Sequence, residues 1–174
     1  RRPLMRRSTV MSSETRGDAI EKIAELLKEI RVAMLVTQDE QGRVRSRPMW
    51  TQDAPFDGTV WFLTPADSSA ATDITHVPRV NLAYANASAE SYLSAVGDAL
   101  ILNDREKIRE FWSPMLKAWW DGPDDPAIRV IRVDVEEVEY WDTPGGKLVS
   151  LFQLAKGMVT GKQGQQSDHE TVHF

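Results

Sequence analysis

The sequence predicts an α+β fold that is mainly β: a small barrel of antiparallel strands with a few short helices attached. Three observations carry this. Short apolar, β-branched or aromatic runs are separated by compact turn signals, as in AMLVTQ-DEQG-RVRSRPMWT-QDAPFDG-TVWFLT. The run 91–102, SYLSAVGDALIL, is long for a strand and carries Gly97 in its interior, where a bend or bulge lets a sheet curl. The run 128–141, IRVIRVDVEEVEYW, alternates apolar and polar residues, the period of a strand with one buried face.

The elements follow in order. Asp18 is a good cap for a helix in which Ile20, Ile23, Ala24, Leu27 and Ile30 recur at helical spacing, giving an apolar side fit to plug one end of a barrel. Strand 33–38 leads through turn 39–42, where Gly42 makes positive φ cheap, into strand 43–51. Pro48 has no N–H to donate, so this strand has an edge, a bulge or a ligand-facing gap there. Turn 53–58 and strand 59–64 come next. A helix within 65–76 opens near Asp67 or Ser68 and stops before Pro78.

Strands 79–85 and 91–102 follow. Asn103 or Asp104 caps a helix through Trp112, and Glu106 would complete a capping box if Asn103 is the cap. Trp112, Trp119 and Trp120 cluster around Pro114, ahead of loop 122–126 and strand 128–141; tryptophan-rich helix ends favour docking on a second subunit. After turn 143–146, the run 148–154 is a last strand or the start of a C-terminal helix. The expected organisation is a flexible N-terminal segment at 1–17, one domain at 18–161 and a loose polar tail at 162–174.

Composition bounds the function. The 174 residues suit one domain, and the net charge of −5 disfavours nucleic acid as a partner. With no cysteine, disulfides, thiolate metal sites and a cysteine nucleophile are excluded, and a reducing cytoplasm is the expected setting. No apolar run approaches the roughly 20 residues of a membrane span. His76, His169 and His173 are scattered, so no metal site is expected. Neither a Ser-His-Asp order nor a glycine-rich phosphate loop is present.

The stretch 45–69 carries the chemistry. Arg45 and Arg47 lie two apart on a strand and so share a face. Ser68 and Ser69 open a helix, where hydroxyls and free N–H groups gather at a positive dipole end. Together they could hold a phosphate, with an aromatic strand alongside for a flat ring. Two arginines on a strand are more often a solvated face, and Trp50, Trp61 and Phe62 are most simply core or interface aromatics. Asp67, an anion beside the serines, reads as a helix cap pointing away.

The ordered set SRPMW, WFLT, DSS, VNLAYAN, SYLSAVGDA, NDREKIREFW, GPDDP and VEYWD resembles the general stress proteins among the pyridoxamine-phosphate-oxidase-like FMN-binding split barrels, over 18–161. The resemblance implies a six-stranded antiparallel split β-barrel with short flanking helices, and a homodimer holding FMN, or FAD, at its interface. By that resemblance Arg47 meets the flavin phosphate, and Pro48, Met49 and Trp50 form the strand beside the ring. Leu63 and Thr64 meet the ring and ribityl phosphate, and Ser68 and Ser69 form the phosphate loop. Tyr92 and the Trp119–Trp120 pair match more weakly and reach flavin from the partner chain.

The sequence also departs from the family. Ser69 and Ala70 stand where the family loop carries cations, and Arg45 is the candidate substitute. The tail SDHETVHF lacks the basic, histidine-bearing substrate motif of the pyridoxamine oxidases, so that activity is not expected. The expectation is a flavin-binding stress protein. A flavin-dependent oxidoreductase using a reduced nicotinamide and a ligand-free dimeric interaction module are the alternatives.

Overall fold

The computed structural model describes residues 13–142 and 168–173. The elements run α1 (Ser13–Ile30), β1 (Val32–Gln38), β2 (Val44–Trp50), β3 (Thr59–Pro65), α2 (Ser69–His76), β4 (Arg79–Asn86), β5 (Ser91–Leu102), α3 (Arg105–Phe111), a short 3-10 turn (Pro114–Ala118), β6 (Ile128–Asp142) and β7 (Asp168–His173). All strand pairs are antiparallel, in the order β2-β1-β4-β5-β6-β3, and β7 lies beside β6.

The sheet curls without closing. β2 and β3 stand at its two ends and share no ladder. The chain leaving β2 bridges them at one point, where the Gln52 N–H donates to the Trp61 carbonyl at 2.9 Å. Pro48 is therefore on an end strand, where a missing N–H breaks only one side of the hydrogen-bond ladder.

The curl has an identifiable joint. β5 and β6 pair in register on either side of Gly97, but Val96 faces Glu137 and Gly97 faces Val135, so Glu136 is the extra residue. The sequence locates the irregularity at Gly97, and the inserted residue belongs to the opposite strand. The side chain of Glu136 is held by Arg79 Nη1 at 2.6 Å.

α1 plugs one end of the barrel with Ala19, Ile23, Leu26 and Leu27, which join Leu35, Phe62, Leu82, Ile131 and Val133 in the main core. Ile23 and Leu27 are core residues as the spacing predicts, whereas Ile20 and Ala24 are half-buried at the edge of the stripe. The helix begins at Ser13, so Asp18 lies inside it and does not cap it. A smaller core of Leu63, Ile108, Phe111, Ile128 and Val130 lies under α3, and Trp112, Leu116 and Trp120 pack onto it.

The structure decides one open alternative and corrects one expectation. Asp104, not Asn103, caps α3: its carboxylate accepts the Lys107 N–H at 3.0 Å, which leaves Glu106 outside a capping box. Asp104→Ala should lower stability by about 1 kcal/mol in chemical denaturation. A seventh strand, β7, also forms within the expected loose tail, with Val172 buried against the core. The run 148–154 lies outside the described residues.

Candidate functional site

The β1–β2 hairpin is set by its turn. The Asp39 carboxylate accepts the Gln41 and Arg43 backbone N–H groups at 3.0 and 2.9 Å, and Gly42 takes φ 80°. Those N–H bonds, the Arg43 one above all, hold the Asp39 carboxyl below its ordinary pKa. The resulting register puts Arg47 opposite Leu35 and Arg45 opposite Thr37. Leu35 and Thr37 are buried, so both arginines lie on the strand face that turns toward the barrel interior and α2.

The guanidiniums are not free. Arg47 Nη1 donates to Thr37 Oγ1 at 2.8 Å and Nη2 donates to Asp73 Oδ2 at 3.0 Å. The Thr37 hydroxyl in turn donates to the same Asp73 oxygen at 2.7 Å. Arg45 Nη2 donates to Asp39 Oδ2 at 3.2 Å, and its Nη1 lies 4.0 Å from Asp73 Oδ1. Asp73 is 4% exposed and the Arg47 side chain 19%, so this ion pair is largely withdrawn from water.

Asp73 belongs to α2, and it falls four residues after Ser69 on the same helical face. The Arg47 guanidinium is thereby tied to α2 through a residue one helical turn after its first position. At that opening Ser68 is the N-cap: its Oγ accepts the Ala71 N–H at 3.1 Å and bonds the Thr64 hydroxyl at 2.8 Å. Thr64 is buried, Ser68 half-buried and Ser69 exposed. Among the described residues the Ser69 and Ala70 backbone N–H groups have no hydrogen-bond acceptor, which leaves two donors at a positive helix end.

Two sets of the expected residues meet α2: Arg47 and Arg45 through Asp73, and Thr64 through Ser68 at the helix opening, with Ser69 next to it. Leu63, on the other face of β3, joins the smaller core with Trp120. Met49 follows the arginines inward and packs on the main core. Pro48 and Trp50 point to the opposite, outer face of the sheet, where Pro48 faces Met34 and Trp50 faces Val32. Tyr92 is on β5 opposite Ala85, exposed, and the Trp119 side chain stands 67% exposed.

Asp73 is the residue of this corner that the sequence reading did not single out. A signal was present: in SAATDITH the buried positions Ala70, Ala71 and Ile74 define a stripe, and Asp73 lies in it. An acid on the buried stripe of a short helix needs a cation. Ala70 is 1% exposed and packed in the main core, so a lysine at that position would start from a buried site.

An end-open antiparallel barrel plugged by one helix is the architecture of the split-barrel class of α+β proteins. The chain belongs to the pyridoxamine 5'-phosphate oxidase-like family, whose model matches residues 18–165. It is 27% identical over 154 residues to the protein bli-3 of Neurospora crassa, spanning 82% of this chain and 74% of that one. It is 27% identical over 138 residues to general stress protein 26 of Bacillus subtilis, spanning 77% of this chain and 96% of that one. A general stress FMN/FAD binding protein from Xanthomonas citri shares the fold with a TM-score of 0.62 at 26% identity, covering 72% of this chain and 89% of that structure. Among the described residues no helix is long and apolar enough to cross a membrane.

Proposed function

We propose that the protein binds a flavin nucleotide, FMN or FAD, with the phosphate at the corner between Arg47 and the α2 opening. The observation that carries this is the pair of N–H groups at Ser69 and Ala70, without an acceptor among the described residues, on the helix whose Asp73 holds the half-buried Arg47 guanidinium. Such donors and a fixed positive end favour an anion, and an arginine adds charge-assisted bonds. Arg45 stands behind Arg47 as the second cation. Thr64 and Ser68 offer hydroxyls beside the same bend; Met49 shares the arginines' face of β2, while Pro48 and Trp50 lie on its outer face and Leu63 in the smaller core.

A bound flavin would supply electron transfer at its ring. The chain's own residues bind and orient the nucleotide and shield its phosphate. We favour binding, as a stress protein, over turnover, and pyridoxamine-phosphate oxidase activity is not part of the proposal. A nicotinamide-driven flavin oxidoreductase is the alternative, and steady oxidation of NADH or NADPH by the FMN-loaded protein would establish it. The binding itself is tested by titrating FMN into the protein and following flavin fluorescence. Saturable quenching is expected, and its absence at high protein concentration would leave the ligand-free module as the better reading.

The outer sheet face supports a homodimer. Val32, Met34, Trp50 and Tyr92 leave 39, 40, 50 and 40% of their surfaces exposed on β1, β2 and β5, with β4 lying between β1 and β5. An apolar face of this kind favours a second copy, which would bring Tyr92 or Trp120 of the partner toward the ring. Trp50→Asp should therefore shift the protein to monomer in analytical ultracentrifugation. Retention of the dimer would exclude that face. A cytoplasmic setting fits a chain without cysteine.

A further inference from the structure

We propose that Asp73 is a built-in counter-anion that holds down the affinity of the corner for phosphate, so that the protein discriminates only weakly between a phosphorylated flavin and riboflavin. The inference rests on the flavin reading for its choice of probe, and on the side-chain geometry for its substance.

A phosphate is gripped best by an arginine that turns two parallel N–H groups toward it. Here both terminal nitrogens of Arg47 already spend a hydrogen on internal partners, Nη1 on Thr37 and Nη2 on Asp73. The Thr37 hydroxyl closes the triangle on the same Asp73 oxygen. Arg45 and Arg43 are engaged likewise, both on Asp39 Oδ2 at 3.2 and 2.8 Å. Across the corner three arginines face two aspartates, which leaves one net positive charge. A phosphate monoester carries about −1.5 to −2 at neutral pH, so the corner cannot neutralise it.

The position of Asp73 sharpens the effect. Its carboxylate is buried and lies one turn from the free N–H groups of Ser69 and Ala70. Repulsion between two anions at such a distance is stronger where water is excluded. Neither Ser69 nor Ala70 carries a charge to offset it. The neutral part of a flavin feels none of this. Asp73 is therefore a specificity-determining residue for the charged end of the ligand. Asp73→Asn preserves the shape and an acceptor for Thr37 and Arg47 while removing the charge.

The test titrates FMN, riboflavin and inorganic phosphate separately into the wild-type protein and into Asp73→Asn, by calorimetry and by thermal shift. In the wild type the preference for FMN over riboflavin should stay below about a hundredfold, and in the variant it should rise about tenfold or more with riboflavin affinity unchanged. Phosphate alone should raise the melting temperature of the variant more than that of the wild type. A wild-type preference of about a thousandfold or more overturns the proposal without any variant, which also covers the case that Asp73→Asn does not fold. A preference that is unchanged or reduced in the variant overturns it as well. If neither flavin binds but phosphate stabilises only the variant, the flavin reading fails and the role of Asp73 stands. If flavins bind and the preference does not move, the reverse holds.

Discussion

Gly97→Ala is expected to destabilise the protein by about 3 kcal/mol, lowering its melting temperature by roughly 10 °C. A Cβ at this position would lie 2.1 Å from the Asp134 carbonyl oxygen, 2.9 Å from its carbon and 3.0 Å from Val135 Cα. These are backbone atoms of the adjacent strand, held by the β5–β6 ladder on both sides of the bulge, and they cannot swing aside as a side chain would. The substitution must push β6 outward at the joint where the sheet curls. Gly17→Ala is the matched control, because a Cβ there meets nothing within 4 Å inside α1. It should be neutral or stabilise by about 0.5–1 kcal/mol. Equal melting temperatures for the two variants would mean that the bulge is not packed as described.

Arg47→Ala is expected to act on both stability and binding. Removing the guanidinium leaves the Asp73 carboxylate buried with only Thr37 hydrogen-bonded to it and Arg45 at 4.0 Å. Breaking a buried pair from one side costs about 3–5 kcal/mol; the partial exposure of Arg47 and the nearby Arg45 set the expectation at about 3 kcal/mol. FMN affinity should fall roughly ten- to a hundredfold, the equivalent of one charge-assisted hydrogen bond. Pairing the change with Asp73→Ala removes both charges and should recover most of the lost stability in denaturant titration. If the single variant were as stable as wild type, the Arg47–Asp73 pair would be a surface contact of little weight.

The sequence made the fold legible where the signal is local. Strand 91–102 was predicted with its observed bounds, because alternation and flanking turns mark it on both sides. The shared face of Arg45 and Arg47 followed from strand period alone, and Ser68 as the opening of α2 from capping chemistry. Long-range partnerships were not legible. β7 is a short polar segment with Val172 buried in the core, and its pairing with β6 is a contact between distant parts of the chain. Periodicity of such a segment does not separate it from a loose tail.

The candidate corner divides the same way. Its residue types were visible in the sequence, but the partner that engages them was not. Asp67 drew notice as the acid next to the serines, whereas the acid that meets Arg47 is Asp73, six residues further on and inside α2. Asp67 was read as a cap pointing away; the cap is Ser68, and the anion that engages Arg47 comes from the buried face of α2. The surface of β2 was split likewise: Met49 turns inward with the arginines and Pro48 and Trp50 turn outward.

A crystal structure of the protein with FMN tests the central claim most directly. The phosphate should lie within hydrogen-bond reach, about 3 Å, of the Arg47 guanidinium and of the Ser69 and Ala70 N–H groups. A flavin bound elsewhere on the barrel, or a phosphate left in solvent with the Arg47–Thr37–Asp73 triangle undisturbed, would contradict it.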